Sequence, residues 1–212
     1  MYRKYKIIPI IVLKINVKRC KNMKVKGTVK SVGKKPNFWG DYEKNIPPKV
    51  KEMIYDQYYS LDTMFIYCDC SMQLEKNMMS AACSYLQGGS VTVKSSIIYP
   101  PNDCKGKNTY GELQAVMFGL NHFDKHMNRF TKKIVIYSDV KDINRILNRI
   151  VTFRKVSSLM KLQTSLILLF EQKQMENPNL NISIEYLSYD IKAYNPFAKS
   201  AHNAARKVLK EK

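Results

Sequence analysis

Acidic residues are scarce in this chain of 212 residues. It contains 17 Asp and Glu against 36 Lys and Arg, which gives a formal net charge of +19 at pH 7. A positive charge of this size favours a polyanionic partner, and nucleic acid is the commonest polyanion that proteins bind. An anionic membrane surface is the competing partner.

Long hydrophobic runs are also missing. The apolar stretch at residues 7–13 is interrupted by Pro9 and is far shorter than the roughly 20 residues that a membrane-spanning helix needs. The residues that follow, from Lys14 on, offer no small-residue site for signal-peptide cleavage. We therefore predict an intracellular protein of the cytoplasm or nucleus with no membrane partner, while the acid-poor N-terminus leaves mitochondrial targeting open.

The cysteines are few and odd in number. A disulfide framework is unexpected in a chain of this length with five cysteines, so we predict reduced thiols. They are Cys20, Cys68, Cys70, Cys83 and Cys104. Apolar residues make up 45% of the chain, which is enough to bury the core of one domain with an appendage.

The first 40 residues contain twelve Lys or Arg and no acid. This segment is either a solvated basic arm or an arm that adds phosphate contacts. Residues 34–48 are rich in Pro, Gly and Asn and are typical of a linker, in which Trp39 either stacks on a base or packs back onto the domain. We predict a basic N-terminal arm and linker over residues 1–63 and a folded domain over residues 64–212.

Regular patterning begins at Met64 and predicts one mixed sheet with helices against it. The predicted strands cover residues 64–71, 81–86, 91–99, 133–138 and 182–187. The predicted helices cover residues 49–59, 110–130, 142–151, 156–174 and 202–209. The fold class is therefore α/β with a mixed five-stranded sheet.

Three acids occupy positions where a solvated side chain is not expected: Asp69 in the first predicted strand, Glu112 near the start of a helix, and Asp139 at the end of a strand. Buried carboxylates are costly unless a cation pairs with them. Oxygen-only ligands suit Mg²⁺, or alternatively Mn²⁺. The structural alternatives are a turn at Asp69, a first-turn acid at Glu112 and a helix cap at Asp139.

The stretches around these acids resemble the motifs of type 1 ribonuclease H. The family's Tyr-Thr-Asp-Gly-Ser corresponds to Tyr-Cys-Asp-Cys-Ser at residues 67–71. Its Asn-rich turn leading into Ala-Glu-Leu-x-Ala corresponds to Asn-Thr-Tyr-Gly-Glu-Leu-Gln-Ala at residues 108–115. Its Tyr-Ser/Thr-Asp-Ser corresponds to Tyr-Ser-Asp-Val at residues 137–140. Each motif alone is weak, but three in order are fairly specific, and the resemblance covers residues 64–209.

The resemblance implies an RNase H-like mixed five-stranded sheet and a metal-dependent endonuclease that hydrolyses the RNA strand of RNA–DNA hybrids. Asp69, Glu112 and Asp139 would be the catalytic metal ligands for Mg²⁺, and Asn108 would contact the RNA strand in the minor groove. Ser71, Arg154 and Lys155 would add nucleic-acid contacts by their correspondence to positions of the family. The protein is expected to act as a monomer on the hybrid or on another nucleic acid.

Two departures from the family favour an alternative function. The position of the family's fourth acid falls on Arg206 or Lys207, so that a cation replaces an anion. Asp190 stands where the family has a mobile His, and His202 or Asp190 could serve as an accessory group in place of the fourth acid. The alternative is a catalytically weak or inactive nucleic-acid-binding protein with the same fold.

Overall fold

The structure is a computed structural model, and it describes residues 35–211. Most of the predicted basic arm lies outside the described residues. Asn37–Lys212 forms one compact unit.

The centre of the fold is a five-stranded sheet with strand order β3-β2-β1-β4-β5. Its strands are β1 (Thr63–Gln73), β2 (Met78–Gln87), β3 (Ser90–Ile98), β4 (Lys133–Ser138) and β5 (Asn181–Tyr186). The first three strands form an antiparallel meander, whereas β4 runs parallel to β1 and β5 parallel to β4. The predicted mixed five-stranded sheet is confirmed. Gly88 and Gly89 form the β2–β3 turn with φ of +56° and +78°, a conformation that glycine adopts without strain.

Helices cover both faces of the sheet. They are α1 (Pro48–Tyr59), α2 (Asn108–His122), α3 (Ile143–Leu147), α4 (Ser157–Glu176), α5 (Tyr189–Tyr194) and α6 (Pro196–Lys210). Within residues 35–211, no helix is both long and apolar enough to cross a bilayer.

Three helices, α2, α3 and α6, differ from their predicted ranges by at least one helical turn at one end, and no helix was predicted over α5. Helix α2 ends at His122 and is followed by one 3-10 turn, and α3 is only five residues long. The last helix begins at Pro196 rather than at His202, because the Asn195 side chain accepts hydrogen bonds from the backbone N–H groups of Phe197 and Ala198 at 2.9 and 3.0 Å. Such a cap followed by proline is a strong helix start.

Side-chain alternation along β1 sorts the core into two layers. Met64, Ile66 and Cys68 belong to the cluster that β1 shares with α2 and α4. Phe65 and Tyr67 belong to the cluster on the other face, where α1 and α6 pack. The sheet is therefore enclosed between two helical layers.

Helix α1 packs within this compact unit, although the sequence assigned it to the linker before residue 64. Ile54 of α1 is completely buried and lies in the same cluster as Phe197 of α6. The N–H groups of Gly88 and Gly89 donate to the carbonyls of Ser60 and Tyr58, both at 2.8 Å. The compact unit therefore begins well before the predicted boundary.

Trp39 connects the segment before α1 to the end of α5. Its Nε1–H donates to the Tyr194 carbonyl at 2.7 Å, and its ring lies edge-on against Phe38 and Tyr55. Of the two roles predicted for Trp39, packing back onto the domain is the one seen in the structure.

Four of the five cysteines lie in the described part of the chain, and all four are buried free thiols. Cys68 and Cys83 are directly opposite each other on β1 and β2, and their Sγ atoms are 3.3 Å apart. The reduced state of these thiols stays a prediction, with which their placement is consistent. Cys20 falls outside the described residues.

Candidate metal centre

The three predicted carboxylates meet just beyond the end of β4. Pairing between β1 and β4 ends at Tyr67 and Tyr137, so Asp69 and Asp139 each lie two residues past the last paired position. Glu112 reaches the same place from α2. Each of the three acids offers an oxygen within 4.8 Å of those of the other two.

Burial makes this cluster electrostatically unfavourable. Asp69 and Glu112 are only 3% and 7% exposed. Desolvation, together with the charges of Asp69 and Asp139, raises the pKa of Glu112 to about 8. Burial also raises the pKa of Asp139, although Lys192 opposes that shift. Both shifts have the direction expected of buried carboxylates that repel one another, so a positive charge beside the cluster favours their ionised forms.

Lys192 of α5 supplies such a charge. Its Nζ donates to Asp69 Oδ1 at 3.0 Å and also donates to Asp139 Oδ2. Burial acts to lower the pKa of Lys192, but its hydrogen bonds and charge interactions with Asp139 and Asp69 outweigh this effect and raise it. Lys192 is therefore a charged component of the acidic centre, the site formed by Asp69, Glu112 and Asp139.

Sequence reasoning missed Lys192. It belongs to no motif, and no helix was predicted over α5. The one signal available is general: three converging acids require a cation, and a lysine after the last strand is near enough to supply one. Nothing in the sequence singles out Lys192 from its neighbours.

His202 of α6 contacts the remaining oxygen of Asp69. Its Nδ1 lies 2.8 Å from Asp69 Oδ2, so both carboxylate oxygens of Asp69 are engaged by side chains of the protein. His202 thus lies where an accessory group was predicted. Asp190 is exposed in the first turn of α5, and no hydrogen bond or ion pair among the described residues links it to the three acids.

Cys70 contacts the cluster from β1. Its Sγ donates to Glu112 Oε1 at 3.3 Å and lies 3.6 Å from Asn108 Oδ1. Burial and the charge of Glu112 raise the pKa of the Cys70 thiol, which keeps it protonated as a donor. Helix α2 can approach this closely because residue 111 is glycine: a Cβ there would lie 2.8 Å from Cys70 Sγ.

Two carboxylate oxygens remain without a partner. Glu112 Oε2 and Asp139 Oδ1 are buried, and no donor in the described part of the chain reaches either atom. Unsatisfied buried acceptors are rare and point to a missing ligand. Hard oxygen donors of this kind suit Mg²⁺ or Mn²⁺, so the residues present fit a divalent cation held by Glu112 and Asp139, with Asp69 beside them.

A cavity of about 350 Å³ opens beside these two acids. Its lining includes Asn108 at the start of α2 and Phe153 in the loop before α4. Arg154 and Lys155 follow Phe153 directly, and both are exposed. The structure therefore places Asn108 next to the acids, with the two predicted basic residues adjacent in sequence to the cavity wall.

Ser71 lies elsewhere, in a smaller cavity of about 180 Å³ whose lining also includes Arg206 and Lys210. Lys207 is exposed and forms an ion pair with Glu211 at 3.7 Å. Within residues 35–211, no ion pair or hydrogen bond joins Arg206 or Lys207 to the acids. The cation beside the cluster is Lys192, and neither of the two that replace the fourth acid in sequence takes that place.

Comparison with known structures identifies the fold. LC11-RNase H1, isolated from compost by a metagenomic approach, superposes with a TM-score of 0.50 and 15% identity over 70% of this chain and 99% of that chain. The same protein in complex with an RNA/DNA hybrid gives 0.48 and 14% over 69% and 99%. The N-terminal RNase H domain of a Mycobacterium tuberculosis protein, solved as a fusion with maltose-binding protein, gives 0.49 and 15% over 71% and 98%.

At these identities the likeness concerns the fold alone. The fold is RNase H-like, as the sequence motifs predicted. A scan against protein-family models and a search of curated proteins both gave no match.

Proposed function

We propose that this chain uses its RNase H-like fold as a metal-dependent endonuclease that hydrolyses the RNA strand of RNA–DNA hybrids. The observation that supports this most directly is the convergence of Asp69, Glu112 and Asp139, from β1, α2 and the end of β4, on one buried spot. These are the acids and the elements that the resemblance to type 1 ribonuclease H selects. The net charge of +19 suits a polyanionic substrate.

The residues have separate tasks in this function. Glu112 and Asp139 would hold the divalent cation, and Asp69 is fixed by His202 and Lys192 so that its charge stays in the centre. A bound Mg²⁺ supplies Lewis-acid stabilisation of charge on the phosphate that is cleaved. Asn108, exposed at the rim of the cavity, contacts the RNA strand, and a preference for RNA follows from its 2′-hydroxyl groups.

The test is cleavage of a labelled RNA strand in a hybrid, followed over a titration of Mg²⁺ and Mn²⁺. We expect Asp69→Asn to lower the rate by about 100-fold or more, because it removes a charge that supports the cation. Asp56→Asn is the matched control, since Asp56 is an exposed acid on α1. Cleavage that continues unchanged in Asp69→Asn would reject the proposed mechanism.

A second candidate is a nucleic-acid-binding protein that keeps the fold without the reaction. The observation that favours it is the ammonium group of Lys192 between Asp69 and Asp139, where positive charge weakens the attraction for a divalent cation. Binding of the hybrid by the wild type, with no cleavage at any concentration of Mg²⁺ or Mn²⁺, would select this candidate.

A further inference from the structure

The carboxylate oxygens of the acidic centre fall into two groups: some contact side chains of the protein, and others have no partner among the described residues. On one side, Asp69 Oδ1 and Asp139 Oδ2 accept hydrogen bonds from Lys192, and Asp69 Oδ2 contacts His202. On the other side, Glu112 Oε2 and Asp139 Oδ1 have no partner among the described residues. The two oxygens without a partner belong to Glu112 and Asp139, and both of these acids line the cavity of about 350 Å³.

This difference between the carboxylate oxygens affects how many divalent cations the three acids can bind. Two divalent cations can be bound side by side only where enough carboxylate oxygens are free to contact both of them. Lys192 Nζ takes the position between Asp69 and Asp139, and its single charge is attached to the chain. A divalent cation placed beside Lys192 Nζ would be repelled by the ammonium group, because the two charges would be close together in a poorly solvated site.

We propose that Lys192 is a resident cation of the centre, which replaces one of two divalent cations and restricts the chain to a single divalent ion, bound by Glu112 and Asp139. This deepens the proposed function, because it specifies the metal content of the same site. It does not depend on hybrid cleavage, since the metal content is measured without nucleic acid.

The position of Lys192 is built into the fold. Lys192 lies in α5, whose last residue, Tyr194, receives the hydrogen bond from Trp39 at 2.7 Å. The next residue, Asn195, is 1% exposed and caps α6 through its side chain. The backbone on the C-terminal side of Lys192 is therefore fixed at two successive residues, and its ammonium group is held at the acids by the hydrogen bonds to Asp69 and Asp139.

The experiment counts Mn²⁺ ions bound to the purified full-length chain by calorimetric titration, with electron paramagnetic resonance to detect coupling between neighbouring ions. The variants are wild type, Lys192→Met and Lys199→Met. Lys199 is an exposed lysine on α6, so its substitution removes the same charge from the chain without altering the centre.

We expect one Mn²⁺ in the wild type and in Lys199→Met, and two coupled ions in Lys192→Met. The first ion should also bind Lys192→Met about tenfold more tightly or better, because a neighbouring positive charge has been removed. In metal-free buffer Lys192→Met should unfold at a lower temperature than the wild type, and added Mn²⁺ should raise that temperature more than it does for the wild type.

Two bound ions in the wild type would overturn the proposal, and this measurement requires no variant to fold. Equal ion counts and affinities in wild type and Lys192→Met would overturn it as well, as would the absence of Mn²⁺ binding in both. A wild type that binds one ion and cleaves no hybrid would leave this proposal standing while rejecting the proposed enzymatic function.

Discussion

Glu112 gives the centre a pH dependence at the scale of one residue. Its pKa is raised from 4.5 to about 8, first by desolvation and then by the charges of Asp69 and Asp139. For an acid whose pKa is raised by folding, the stabilising contribution is fully present below pH 4.5 and is lost as the pH rises through about 8. The metal-free protein should therefore lose stability over that interval because of this group.

We predict that Glu112→Gln, in buffer with a chelator, is more stable relative to the wild type at pH 9 than at pH 5. The difference should be on the order of 4 kcal/mol, because the amide never carries the buried charge. Urea unfolding at both pH values measures it. Glu75→Gln, a substitution at an exposed glutamate in the β1–β2 turn, is the control, and an equal pH effect in both variants would contradict the prediction.

The close approach of Cys70 to Gly111 leads to a second prediction, which concerns stability. We expect Gly111→Ala to destabilise the protein by about 1–3 kcal/mol, because its Cβ would lie 2.8 Å from Cys70 Sγ. Cys70→Ala in the same chain should recover part of this loss by removing the sulfur. Thermal unfolding of both single variants and the double variant tests the coupling, and strictly additive effects would argue against it.

How far the site could be predicted differs from residue to residue. Asp69, Glu112 and Asp139 were identifiable because each interrupts an apolar or helical pattern that does not explain a charge. Lys192 was not, since a lysine after a strand is ordinary in a chain with 36 Lys and Arg. Its role depends on a contact with Asp69 across 123 positions of sequence, which no local pattern encodes.

At the scale of elements, α5 is held by an unusual partner, the segment before α1. We predict that Trp39→Phe lowers stability by about 1–2 kcal/mol, because the Tyr194 carbonyl loses its donor. Tyr42→Phe is the control, since Tyr42 lies in the same segment before α1 and is 57% exposed. Thermal unfolding measures the difference, and equal effects of the two substitutions would show that the Trp39 hydrogen bond contributes nothing.

Elements with strong periodicity were predicted well. β4 covers the predicted residues 133–138 because its apolar run is bounded by a turn and by Asp139. α1 was predicted as a helix, but its packing was not, because Lys49, Lys51 and Glu52 make it look like a solvated segment. Its burial is decided by Ile54, which contacts residues from distant parts of the chain.

At the scale of the whole molecule, the net charge of +19 predicts that binding of nucleic acid depends on salt. We predict that affinity for an RNA–DNA hybrid falls steeply with added salt, because each neutralised phosphate releases counterions. Affinity for duplex DNA of the same sequence should fall with a similar slope but be weaker at every salt concentration. Fluorescence anisotropy over a salt series measures both, and equal affinities would favour a general nucleic-acid-binding protein.

The ion pairs of Lys192 also affect how the chain reaches its native state. In many metalloproteins the last folding step waits for an external ion, because clustered ligands repel one another until the ion arrives. Here the chain brings its own counter-ion in Lys192, which follows β5, the last strand of the sheet. All five strands precede this lysine along the chain, so Asp69 and Asp139 gain their counter-ion only after the whole sheet has been synthesised.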